Sequence, residues 1–188
     1  MSAAKLLRLL PSESALLVCD MQEKFRLLRI VATEQNPSGL GHTVTELDLQ
    51  KHKVPVFTKT KFSMCGPSLR NELGTGIKSV LICGIEAHVC VYHTAIDFQE
   101  QGFNVHVIVD GSSSRSMVDR LFTKDNKDVL VRIYGYKQLE RAGINLSTSE
   151  CVILGLVGDS AHEKFKAVQR LIKESAPDTG LLANISRV

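Results

Sequence analysis

Short continuous apolar runs, each followed by a helical pattern, constrain this chain more than any other feature. The runs cover 15–19, 29–33, 54–58, 79–83 and 105–109. They stop at Asp20, at Lys59, at Gly84 and at Asp110-Gly111. Runs of four to eight apolar residues suit central parallel strands, which are covered on both faces. Between them the spacing predicts helices over 67–74, 87–101, 115–122, 149–157 and 162–173. Strand-helix alternation of this kind predicts an α/β fold, a three-layer sandwich around a parallel sheet. With 188 residues the chain has room for one domain, taken as 1–188.

Two passages resist that pattern. Only residues 21–28 separate Asp20 from the run at Arg29. A parallel crossover needs about a dozen residues or more, usually a helix. Either these runs are not parallel neighbours or a crossover helix is missing. The stretch 123–137 is rich in charge and reads as a surface excursion, ahead of a short helix and the run 144–147. Beyond it, Ser147-Thr148-Ser149-Glu150 has the polar residues that open a helix.

Composition removes several function classes. The net charge is only +3, with no block of five basic residues, so no nucleic-acid footprint is expected. No apolar run reaches the ~18 residues of a membrane span, so no membrane partner is expected. The five cysteines form no CxxC, and Cys19, Cys83 and Cys151 lie in or beside apolar runs. That usage predicts reduced, buried thiols in a cytoplasmic protein. The basic start, with Lys5 and Arg8, leaves a mitochondrial address as the lesser option.

In doubly wound sheets, ligands bind at the carboxyl ends of the strands. Asp20, Lys59 and Cys90 fall at or just beyond such ends. Cys90 lies in the first turn of the helix predicted from 87, where the positive helix end favours a thiolate. A lysine nearby would strengthen that effect, and an aspartate could take the proton. Each residue alone has a plainer reading: a helix cap for Asp20, a solvated tip for Lys59, a core thiol for Cys90. Helical phase groups Cys90 with Thr94 and Asp97, which is not a pure core stripe.

The segments Leu17-Val18-Cys19-Asp20-Met21-Gln22, Lys59-Thr60-Lys61-Phe62 and Cys83-Gly84-Ile85-Glu86-Ala87-His88-Val89-Cys90 resemble the isochorismatase-like cysteine hydrolase superfamily. Within it they are most similar to the eukaryotic isochorismatase domain-containing branch. Val109-Asp110-Gly111-Ser112 and the tail from Leu156 to Leu182 extend the resemblance. It implies a Rossmann-like sandwich with a central, mainly parallel six-stranded sheet. It also implies a catalytic triad of Asp20, Lys59 and Cys90, with Lys59 preferred over Lys61. A cis peptide at Ile85-Glu86 would aim the N–H groups of Glu86 and Cys90 at one point, an oxyanion hole. By motif position Gln22, Phe25, Gln35, Phe62 and Glu86 line the substrate pocket.

The resemblance implies a hydrolase that cleaves a C–N bond, amide or ureide, of a small molecule through a Cys thioester. It also implies a homo-oligomer, dimer or tetramer. The alternative is a catalytically weak or inactive member acting as a protein-binding or regulatory module. Related nicotinamidases carry an Asp-x-His metal site. Here Thr33-Glu34-Gln35-Asn36-Pro37 stands in that place with only His42 nearby, so neither a metal nor another cofactor is expected. His88 and His93 bracket Cys90 and read as surface or satisfied core residues.

Overall fold

A computed structural model describes residues 10–19, 28–114 and 127–173. Its centre is one six-stranded sheet: β1 (Ser14–Cys19), β2 (Arg29–Gln35), β3 (Val56–Lys59), β4 (Ser79–Gly84), β5 (Asn104–Ser112) and β6 (Asn145–Ser147). The order is β3-β2-β1-β4-β5-β6, and every neighbouring pair is parallel. The chain therefore winds outward in one direction from β1 and in the other from β4. The switch between them opens a crevice at the carboxyl ends of β1 and β4. β1 enters it beside β4, because Cys19 pairs with Gly84.

The helices longer than one turn are α1 (Pro67–Leu73), α2 (Tyr92–Glu100), α3 (Lys127–Arg141), α4 (Ser149–Val157) and α5 (Phe165–Lys173). Strand alternation sends Ala15, Val31, Val80, Ile82, Val105 and Val107 to one face, where they meet Leu69, Leu73, Phe98, Tyr136 and Leu139 of α1, α2 and α3. Among the described residues the opposite face is thinner. Leu81, Cys83, Ala32 and Ile108 pack there with Leu28 and with Val152 of α4, flanked by half-buried Ile30, Leu49, Val54 and Leu156.

Of the two alternatives for β1 and β2, the first is ruled out. The two strands are parallel neighbours, with Ala15 opposite Arg29 and Val18 opposite Ala32. The return from Cys19 to Arg29 thus covers about 14 Å: four residues at ~3.3 Å back along the strand and ~4.8 Å sideways. A connection of the length of residues 20–28 can reach roughly 30 Å, more than the step requires.

Other expectations need correction. The stretch 127–137 is not a surface excursion followed by a short helix; it forms most of α3. The reason lies in Tyr136 and Leu139, three residues apart on one helix face and both buried in the larger core. Residues 123–126, and the helix expected over 115–122, lie outside the described residues. Cys151 is exposed rather than buried, since the first turn of α4 turns it to solvent, whereas Cys83 is buried as expected. β5 runs three residues past Val109, and β3 starts at Val56 instead of 54.

α4 opens as its sequence predicts. Thr148 is the N-cap, and its Oγ1 accepts from the Cys151 N–H at 3.2 Å. Asp110, at the end of β5, accepts from the Ser149 N–H at 2.8 Å and from the Ser149 hydroxyl. Thr148→Ala is expected to cost ~1 kcal/mol, read as a lowered midpoint in urea unfolding. No described helix is long and apolar enough to cross a membrane.

Candidate functional site

Three strand ends converge on the crevice. β2 ends at Gln35, β3 ends at Lys59, and β4 ends at Gly84, after which the chain turns through a cis Ile85-Glu86 bond. A π turn, Ala87–Val91, follows and runs directly into α2. Its apolar ends hold it in place: Ala87 and Val91 are buried in the larger core. Backbone bonds reinforce them, from the Ala87 N–H to Ser113 O and from the Ser113 N–H to Gly84 O. α3 presses on the same turn at Gly135, where a Cβ would meet His88 Cα and Cβ at 3.4 Å, so a glycine permits the close approach.

Cys90 is buried in this turn. The Lys59 Nζ lies 3.7 Å from its Sγ. The same ammonium donates to Gln35 Oε1 at 2.6 Å, to Phe62 O at 2.9 Å and to Lys61 O at 3.1 Å. An ammonium has three N–H bonds. Three neutral oxygens therefore hold its orientation, and the sulfur faces a fixed positive charge. Lys61 itself is exposed and contributes its carbonyl, so the spatial partner of Cys90 is Lys59.

Gln35, expected to line a substrate pocket, has both ends of its amide engaged. Its Oε1 takes the lysine, and its Nε2 donates to Thr60 O at 2.7 Å. It serves as a strut for the Lys59 loop. Phe62 does present an exposed ring, 55% accessible, which stacks on His93 at 6.1 Å between centroids. Tyr92 meets His93 edge-on. Ile85 is likewise exposed at 45%, and Glu86 is half-buried at the head of the turn. Asp20, Gln22 and Phe25 lie outside the described residues. His88 points its Nδ1 at the Ser114 hydroxyl, 3.0 Å away, which makes it a satisfied side chain.

Thr94 was visible in the sequence only as a phase partner of Cys90. It is fully buried, donates to Cys90 O at 2.6 Å and accepts from the Met64 N–H at 2.9 Å. Its helical phase, shared with Cys90 and Asp97, was the signal for it.

At the position compared above with a metal site, Glu34 fastens a loop. Its Oε1 accepts from the Thr43 N–H at 2.8 Å and from the Thr43 hydroxyl at 2.9 Å, and its Oε2 faces His42 Nδ1 at 3.0 Å. These bonds, the backbone one foremost, hold the Glu34 carboxyl below the usual carboxylate value of 4.5. Among the described residues no three His, Cys, Asp or Glu side chains gather into a cation site. Lowering the pH through the depressed value removes the favoured carboxylate, so the tie is fully present above pH 4.5 and is lost as the pH falls through the depressed value beneath it. Hydrogen exchange at the Thr43 amide is expected to accelerate as the pH falls through that range, once the intrinsic pH dependence of exchange is removed.

Known proteins place this arrangement in a family. The isochorismatase domain matches residues 29–126. Isochorismatase domain-containing protein 2 from Pongo abelii is 44% identical over 93% of this chain and 90% of its own length. Isochorismatase domain-containing protein 1 from Danio rerio is 42% identical over 93% of this chain, which spans 66% of that relative. A solved structure titled MAR1 ribonuclease from Caenorhabditis elegans superposes with a TM-score of 0.76 at 45% identity, covering 93% of this chain and 96% of that one. The Pongo abelii alignment runs over 200 positions but uses 93% of 188 residues, about 175, so about 25 positions have no counterpart here.

Proposed function

Because the chain belongs to the isochorismatase domain family of α/β hydrolases, we propose that it is a cysteine hydrolase cleaving the C–N bond of a small amide or ureide. The observation that supports this most is the Lys59 ammonium held 3.7 Å from Cys90 Sγ at the carboxyl edge of the sheet. A fixed cation beside a thiol at a helix start favours the thiolate. Lys59 is a poor proton shuttle, because its three N–H bonds already face oxygen acceptors. Its role in this reading is electrostatic.

The proton carrier is Asp20, taken from the family resemblance. Asp20 accepts the Cys90 proton, and the thiolate attacks the substrate carbonyl carbon. The oxyanion rests on the N–H groups of Glu86 and Cys90. Asp20 returns the proton to the leaving nitrogen as the C–N bond breaks, which leaves a thioester. Asp20 then deprotonates water, which adds to the thioester. Release of the acid restores the thiol. The exposed Phe62 and Ile85 offer the apolar surface for the substrate body.

The test is a panel of small primary amides and ureides, assayed for ammonia release and, by mass spectrometry of quenched samples, for an acyl adduct on the Cys90 peptide. Ammonia release together with an adduct on that peptide is expected. Release that persists in Cys90→Ala would contradict the mechanism.

A second reading follows from the Caenorhabditis elegans neighbour, whose title names a ribonuclease. RNA would then be the substrate, with Lys59 facing a phosphoryl oxygen. Cleavage of a fluorogenic RNA that survives Cys90→Ala but fails with Lys59→Ala would favour it. A third reading, a binding module without turnover, draws on the short β1–β2 connection. A homo-oligomer and a reducing cytoplasmic setting complete the proposal; Cys65, Cys83, Cys90 and Cys151 are free thiols.

A further inference from the structure

We propose that Thr94 is a positioning residue that sets the distance between Lys59 and Cys90; this rests on the cysteine-hydrolase reading above. One hydroxyl makes two bonds. Its proton goes to Cys90 O at 2.6 Å, and its oxygen accepts from the Met64 N–H at 2.9 Å. The first bond belongs to a common pattern, since threonines in helices often bond the carbonyl four residues back. The second is not local, because Met64 is 30 residues away on the loop that follows β3.

That loop carries the cradle of the lysine. Two of the oxygens holding the Lys59 ammonium are the carbonyls of Lys61 and Phe62, three and two positions before Met64. Met64 is the loop's buried anchor, packed into the larger core with Cys90. Thr94 therefore ties the backbone that presents the cation to the backbone that presents the sulfur. Both bonds lie where water does not compete, and Thr94 has no exposed surface. Replacing the hydroxyl by a methyl group keeps the shape and removes both ties, leaving the Met64 N–H and the Cys90 carbonyl to find other partners.

The experiment measures the iodoacetamide labelling rate of Cys90, by mass spectrometry between pH 6 and 9, in the full chain. The variants are Thr94→Val, Thr94→Ser, Lys59→Ala and the double variant Thr94→Val with Lys59→Ala. Thr94→Val is expected to slow Cys90 labelling at pH 7 by about tenfold. Exposed Cys151 should label at the wild-type rate. Thr94→Ser, which keeps the hydroxyl, should return Cys90 to within about twofold of wild type. The double variant should be no slower than Lys59→Ala, because Thr94 acts through that lysine.

A Thr94→Val profile that coincides with wild type would overturn the inference, as would full additivity with Lys59→Ala. The hydrolase reading fails separately, when wild-type Cys90 labels no faster than Cys151. Should Thr94→Val not fold, hydrogen exchange at the Met64 amide of the wild-type protein decides. Strong protection supports the tie, and exchange at the rate of an open loop overturns it.

Discussion

Replacing Cys90 by alanine is expected to lower amide or ureide hydrolysis by on the order of 10³-fold or more, because the covalent step loses its nucleophile. Cys90→Ser should fall nearly as far. A hydroxyl ionises much less readily than a thiol, and a single cation does not close that gap. Neither change alters the fold much, since Cys90 adds one small side chain to a core anchored by Phe98, Tyr136 and Leu139. Activity lost at an almost unchanged unfolding midpoint would separate chemistry from stability. Lys59→Ala should have a smaller effect. Two unit charges at 3.7 Å interact by roughly 1 kcal/mol in a water-like medium and ~4 kcal/mol at the effective dielectric of a protein surface. The thiolate left without the cation is more basic and intrinsically more nucleophilic, which returns about half of the loss on a logarithmic scale. About tenfold slower alkylation at neutral pH is the expected balance.

The second large effect concerns stability in acid. His106 on β5 is buried, and its Nε2 has no partner among the described residues. It lies opposite Leu81 of β4 and Asn145 of β6, on the thinner face of the sheet. Burial pushes its pKa down from 6.5 to about 4. The unfolded chain therefore takes up a proton near pH 6.5, while the folded protein resists until about pH 4. His106 costs the fold nothing above pH 6.5. Below it, stability falls by ~1.4 kcal/mol per unit, to a total of roughly 3 kcal/mol near pH 4. Urea midpoints measured from pH 7.5 to pH 4 should show that slope, and His106→Leu should remove it. The variant is not expected to weaken the neutral-pH fold, because it replaces an unpaired polar atom with an apolar one. A wild-type curve flat between pH 6.5 and 4.5 would contradict this account of His106.

Much of this architecture was legible in the sequence, because buried parallel strands leave continuous apolar runs. All five such runs became strands, and the helix over Ser149–Val157 was bounded by its own cap residues. α3 was misread for a definite reason. Its charged residues dominate the window 123–137, while the two side chains that bury it, Tyr136 and Leu139, sit near its carboxyl end. Cys151 was misplaced because an apolar neighbourhood in sequence does not say which way a first-turn residue faces.

The site was legible in part. The strand-end rule selected Lys59 and Cys90, and the structure brings them together. Spacing carried no information on the oxygens that hold the ammonium, because two of them are backbone carbonyls and any residue supplies those. For the same reason Gln35 was given to the substrate when its amide spans from Lys59 to Thr60. The short β1–β2 connection was the feature in which local arithmetic proved most useful, since it posed two alternatives between which the parallel pairing of these strands could decide.

The central claim is that Cys90 is a nucleophile activated by Lys59. The most direct test is the pH profile of iodoacetamide labelling at each cysteine of the wild-type protein and of Lys59→Ala. Burial raises the Cys65 thiol, so that residue should lag at neutral pH, and exposed Cys151 supplies the ordinary reference. Cys90 labelling faster than both at pH 6–7, and about tenfold slower in Lys59→Ala, is the predicted result. Cys90 labelling no faster than Cys151, with no response to Lys59→Ala, would contradict the account.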